Sequence, residues 1–134
     1  MFFGYTSCPD VCPATLADFK EIKKLLGDRA SQVKFVFITV DPVRDTPERI
    51  RRYLDLFDVE IIGLTASRER LDPVWEAYGV SSTTVETGDP DAYFVDHSSR
   101  IYAIDKYGNL RVTYLFDTQT EFIAADVRYL LSEN

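Results

Sequence analysis

Val33-Lys34-Phe35-Val36-Phe37-Ile38-Thr39-Val40-Asp41-Pro42 holds seven β-branched or aromatic residues in the eight before Asp41. Apolar side chains fall on consecutive positions rather than alternate ones, so this strand is buried on both faces, as a parallel strand covered by helices would be. Upstream, Leu16, Phe19, Ile22, Leu25 and Leu26 recur at helical spacing within 14–27, with Asp18, Lys20, Glu21, Lys23 and Lys24 opposite and Gly27 as the stop. Before that helix, Phe2-Phe3-Gly4 reads as a second buried strand. Downstream, Thr46 and Pro47 supply the N-cap and first position of a helix running to about Phe57 on Ile50, Tyr53, Leu54 and Phe57.

The pattern then repeats. Residues 61–64 form a short strand, and Ser67 caps a helix carrying Leu71, Val74, Trp75 and Tyr78 that stops at Gly79. Residues 80–91, rich in Ser, Thr, Gly, Asp and Pro, read as a long loop. Residues 92–95 are extended, and after His97 comes a hairpin, 101–105 and 110–116, turning around 106–109. Thr118 and Glu121 form a capping box for a last helix bearing Phe122, Ile123, Val127, Leu130 and Leu131. The order β-α-β-α-β-α, hairpin, helix predicts an α/β fold with a mixed central sheet and helices on both faces, which fits a thioredoxin-like domain.

With 134 residues the chain is expected to be one domain, its core rich in the nine Phe and eight Tyr. A net charge of −7 repels phosphate backbones, so nucleic acid is excluded as a partner class. No run approaches the roughly 18 apolar residues of a membrane span, and the chain as given is expected to be soluble. Met1 stands at the edge of a strand without lead-in, which suggests a fragment whose anchor or export signal lies upstream.

Both cysteines, Cys8 and Cys12, fall on the turn between the first strand and the first helix, each followed by proline. That spacing leaves a metal site, a redox dithiol and a disulfide open, beside inert core thiols. In an open α/β sheet the site lies beyond the carboxyl ends of the parallel strands. An antiparallel strand enters at that same edge, so His97, just before the strand at Ile101, is expected beside the sulfurs. Two thiolates and an imidazole form a soft three-donor set suited to Cu(I), or to Cu(II) or zinc with an added oxygen donor. For that fourth place Asp10, Asp41 and Asp96 are the nearest candidates. The helix start at Cys12 is expected to lower the thiol pKa values. Asp41 and Asp45 read equally as turn caps or as supports of the site, and Arg44, Arg49, Arg51 and Arg52 as a solvated helix face or a docking patch.

Three blocks, Phe3-Gly4-Tyr5-Thr6-Ser7-Cys8-Pro9-Asp10-Val11-Cys12-Pro13, Thr39-Val40-Asp41-Pro42-Val43-Arg44-Asp45-Thr46-Pro47 and Tyr93-Phe94-Val95-Asp96-His97-Ser98, together resemble the Sco/SenC family in order and spacing. The resemblance covers essentially the whole chain. It implies a thioredoxin-fold copper metallochaperone, not an enzyme, that assists assembly of the CuA centre of cytochrome c oxidase, with copper, as Cu(I) or Cu(II), on Cys8, Cys12 and His97. It further implies the CuA-bearing subunit as partner, other copper chaperones or thiol reductants as suppliers, and a membrane-anchored domain facing the periplasm, the cell exterior or the mitochondrial intermembrane space. Relative to the family, the anchor, linker and initial hairpin are missing, which leaves an uncovered edge and a route to a homodimer. The alternative is a thiol-disulfide oxidoreductase using Cys8 and Cys12 as its redox pair. Against it, the spacing is C-x-x-x-C rather than C-x-x-C, and no proline follows Pro90 to stand before the hairpin strand as a cis-proline.

Overall fold

Val36–Thr39, inside the stretch quoted first, is β2, the second of five strands in the main sheet of the computed structural model. The structure describes residues 1–8, 11–80 and 100–133, and residues 82–85 and 94–97 as strand backbone. β2 lies between β1 (Phe2–Gly4) and β3 (Ile62–Leu64), both parallel to it, with Phe2 opposite Phe37 and Phe37 opposite Gly63. Two antiparallel strands, β6 (Arg100–Ile104) and β7 (Leu110–Leu115), complete the order β3-β2-β1-β6-β7. The mixed sheet expected from the sequence is thus present.

Because strand side chains alternate, Phe2, Gly4, Phe37, Thr39 and Gly63 share one face. α1 (Val11–Leu26), α2 (Pro47–Leu54) and α4 (Thr120–Ser132) cover that face. α3 (Arg68–Ala77) covers the other, where the Trp75 indole donates to the Thr39 carbonyl and Tyr78 meets the Phe3 ring. Helices on both faces follow from this. Phe2, Phe3, Leu16, Phe19 and Phe37 are fully buried, each ring or branched chain contributing about 1.5–3 kcal/mol of transfer free energy.

Local signals held where a side chain had one available partner. Thr46 and Ser67 accept from the amides of Arg49 and Arg70, as N-caps should. Elsewhere the chain took other local partners. The capping box is not formed: Gln119 is the N-cap of α4, and the Thr118 hydroxyl donates to the Leu115 carbonyl instead, just after Asp117 turns the chain at φ 70°. α1 begins three residues earlier than the periodicity suggested, at Val11, and Gly27 (φ 57°) leads into a 3-10 helix, Gly27–Gln32.

The largest departure lies in 80–91, expected as loop. Ser82–Val85 forms β4, paired antiparallel with β5 (Phe94–His97) in a separate two-stranded sheet, Ser82 opposite His97. Its polar Ser-Thr-Thr sequence carries no alternation, so pairing alone makes it a strand. Residues 86–93, where the remainder of that loop and the start of the predicted extended segment fall, lie outside the described residues.

Candidate functional site: a buried dithiol at the carboxyl edge of the sheet

β1 ends at Gly4, and the chain turns back so that the Cys8 amide donates to the Tyr5 carbonyl. Cys12 then enters the first turn of α1. Its amide, one of the helix's otherwise unpaired N-terminal donors, points at Cys8 Sγ at 3.3 Å. A sulfur in this position is held by the helix start, and a thiolate accepts such a bond more strongly than a thiol. Cys8 and Cys12 are not joined in a disulfide, and both are buried, Cys12 completely. The sulfurs of this turn therefore face inward.

Gly4 explains how Cys12 fits. A Cβ at Gly4 would lie 2.9 Å from Cys12 Sγ, 2.7 Å from Phe2 Cε1 and 2.9 Å from Phe37 Cε2. All three neighbours are fully buried, so none can move aside cheaply. Gly4→Ala should cost about 1–3 kcal/mol and displace Cys12, checked by chemical denaturation of the reduced protein.

The expectation of lowered thiol pKa values fails at Cys12. A side-chain hydrogen bond with Cys8 pushes the Cys12 thiol up, burial and the proximity of Cys8 and Asp45 add to this, and only a backbone hydrogen bond from Tyr5 opposes it. The first-turn amide of α1 is given to Cys8, while Cys12 is fully buried beside Phe2 and Phe37. Cys12, Tyr53 and Tyr114 all hold their protons above the ordinary values of 9.0 for a thiol and 10.0 for a phenol. For Tyr53 and Tyr114 burial is the main cause. With folded pKa values above unfolded ones, their stabilising contribution is complete below the ordinary values and is lost as pH climbs past them. The melting temperature of the reduced protein should therefore fall steadily above about pH 9, and Tyr114→Phe should reduce that slope.

A polar brace holds the cysteine turn. Asp45, 1% exposed, accepts from the Thr6 amide (3.1 Å), the Thr6 hydroxyl (2.6 Å) and the Thr39 hydroxyl (2.7 Å). Arg49 Nε donates to the same Thr6 hydroxyl at 2.9 Å, and its Nη2 donates to the Ser7 hydroxyl at 2.8 Å. The loops leaving β1 and β2 are thereby tied together, with the guanidinium one hydroxyl away from the buried carboxylate. Asp41 is buried and bound to Arg44 Nε at 2.6 Å, and the Arg44 guanidinium lies 6.0 Å from the Tyr5 ring centre.

Of the basic cluster read as a solvated helix face or a docking patch, Arg49, Arg51 and Arg52 are exposed and Arg44 is partly buried. Arg44 and Arg49 serve the site's framework. Sequence reasoning left Asp45 undecided between cap and support and gave Thr6, Thr39 and Arg49 no role at the site; the adjacent exits of two parallel strands were the available signal.

The structure brings Cys8 and Cys12 together. His97 closes β5, three positions before β6 begins at Arg100, and β6 runs beside β1 with Ile101 opposite Phe2. Its imidazole, like the Asp96 carboxylate and all of Asp10, lies outside the described side chains. Among the described residues no three Cys, His, Asp or Glu side chains form a metal-binding group.

A parallel strand that ends in a buried dithiol at a helix start, flanked by an antiparallel pair and a closing helix, defines a thioredoxin-like protein, the dithiol lying at the carboxyl edge of its parallel strands. The family model for SCO1/SenC matches residues 1–132, and the chain belongs to that family. It is similar to Protein SenC of Rhodobacter capsulatus, 37% identical over 127 residues that cover 95% of this chain and 57% of that protein. A SCO2-like protein of Rickettsia felis is 37% identical over 124 residues, covering 92% and 60%. Among solved structures, Bradyrhizobium japonicum ScoI with copper bound aligns with a TM-score of 0.87 at 38% identity, over 96% of this chain and 82% of that one. The chain spans less than two thirds of the length of these two curated relatives.

Proposed function

We propose that this chain binds one copper ion, as Cu(I) or Cu(II), through Cys8, Cys12 and His97, and delivers it to the CuA-bearing subunit of cytochrome c oxidase. The observation that carries the reading is the pair of buried sulfurs, not joined in a disulfide and in hydrogen-bond contact with each other, at the start of α1. Two thiols that share a hydrogen bond can exchange it for a soft cation, which releases their protons as it binds. Asp41 is engaged by Arg44 and Asp45 by two threonines, so neither serves as a ready oxygen ligand. His97 is the chain's only histidine, and its strand leads into the one that borders β1. Copper-bound ScoI, similar over nearly the whole chain, supports the choice of metal.

Stoichiometric addition of Cu(I) to the reduced protein, in competition with a chromogenic chelator, tests this reading. One equivalent held against the chelator is expected; no retention contradicts it. The supply partners would be other copper chaperones or thiol reductants, and the setting a membrane-anchored, extracytoplasmic one. Among the described residues no helix is long and apolar enough to cross a membrane.

The contact between the two thiols also favours a second reading, reduction of partner disulfides by Cys8 and Cys12. The raised pKa of Cys12 and the burial of both sulfurs weigh against rapid attack, since the thiolate is the nucleophile. Turnover of a disulfide substrate that survives His97→Ala would favour it.

A further inference from the structure

β1 ends on a peptide unit with two properties that meet at one sulfur. Gly4 carries no Cβ, and one placed there would stand 2.9 Å from Cys12 Sγ, well inside contact distance. The next amide, that of Tyr5, donates to the Cys12 sulfur. The Cys12 side chain, arriving from α1, thus lies against the bare backbone of the strand, and from there it reaches the Tyr5 N–H.

Neither the strand nor the helix is free to back away. The Gly4 carbonyl accepts from the Val40 amide at 2.8 Å, and Gly4 stands in register with Thr39, so the end of β1 is fixed to β2. α1 is seated through Cys12, Leu16 and Phe19, all buried. Phe2 Cε1 at 2.7 Å and Phe37 Cε2 at 2.9 Å crowd the same point, so a methyl at position 4 has no empty side to occupy. The cysteine side chain, which turns about a single torsion, is the part that would be driven off its place.

Amides that donate to a metal-bound thiolate disperse its charge and fix its direction. Cys8 has such a donor in the Cys12 amide at 3.3 Å, and Cys12 has one in the Tyr5 amide. The first bond is local to the helix start. The second crosses from strand to helix, and a bare Cα at position 4 is what leaves room for it.

We infer that Gly4 is a positioning residue of the copper site, admitting the Cys12 sulfur to the end of β1, where the Tyr5 amide supports it as a metal ligand. The inference rests on the proposed function and adds to it a residue that contributes by having no side chain.

The test compares the parent with Gly4→Ala and with Phe19→Leu. Phe19 is a buried ring of α1 that meets Phe35, so its loss reports what damaged packing alone does. Each protein is melted in the reduced, metal-free form, titrated with Cu(I) against a chelator, and loaded with Cu(II) for its sulfur-to-copper charge-transfer band. Both variants are expected to melt below the parent. Only Gly4→Ala is expected to lose copper affinity, by about tenfold or more, and only its band is expected to move. Unchanged affinity or an unshifted band in Gly4→Ala overturns the inference and leaves the functional reading standing, and so does a Phe19→Leu variant that shows both changes. Should Gly4→Ala fail to fold, the double variant Gly4→Ala with Phe37→Leu, which removes one of the two ring clashes, is held to the same expectations. A parent that retains no copper overturns the functional reading, and the inference falls with it.

Discussion

Cys8→Ser and Cys12→Ser are each expected to weaken copper retention by more than about a hundredfold, beyond the tenfold to hundredfold typical of losing an outer partner of a metal ligand. A serine hydroxyl stays protonated at neutral pH and is a hard donor, whereas the proposed site depends on soft thiolates. The two variants should differ in stability. Cys12 Sγ is fully buried against Phe2 and Phe37, so Cys12→Ser sets a hydroxyl among rings and should also cost about 1–3 kcal/mol of folding free energy. Cys8 lies nearer the surface, 7% exposed, and Cys8→Ser keeps an acceptor for the Cys12 amide. Its metal-free stability should therefore stay closer to the parent's. Chelator competition and urea denaturation on the same samples separate the two effects.

Asp45→Ala is expected to be the most damaging single change outside the sulfurs. It removes the acceptor for the Thr6 amide and for the Thr6 and Thr39 hydroxyls, at a site that is 1% exposed. Leaving such donors unpaired costs about 1–3 kcal/mol each where they cannot relax, and part of this is recovered by rearrangement. A net loss of about 3 kcal/mol lowers the melting temperature of a domain this size by roughly 10 °C. The damage should reach the metal as well, because the cysteine turn is held through Thr6 and Ser7. Arg49→Ala, which removes exposed donors to the same two residues, should show the same pattern on a smaller scale. If Asp45→Ala melted like the parent, the brace would not be holding the turn.

The sequence made the central architecture readable because its cues were local and unopposed. β2 announced itself through consecutive apolar residues, α2 through Thr46 and Pro47, and the β6-β7 turn through Gly108, which adopts φ 85°. β4 was not readable, since Ser-Thr-Thr-Val becomes a strand only against β5. The capping box failed because Thr118 had a nearer partner in the Leu115 carbonyl.

At the site, Cys8 and Cys12 could be picked out by type and spacing, and the family resemblance anticipated the SCO1/SenC match. What spacing could not show was the inward turn of the sulfurs, the raised pKa of Cys12, or the bonds joining Thr6 to Asp45 and Arg49. Those bonds span some forty positions of sequence, and they exist because β1 and β2 run parallel and release their loops side by side. Tyr53 was legible only as one apolar position of a helix; that its buried hydroxyl has no partner among the described residues is a fact of packing.

His97→Ala tests the central claim most directly, because the described structure already joins the two sulfurs and the claim adds the imidazole to them. Parent and variant, fully reduced, would be titrated with copper against the same chelator while absorption is recorded. The account predicts one copper per chain in the parent and a large loss of affinity in His97→Ala, with metal-free melting unchanged. Equal affinity in the two proteins would contradict it.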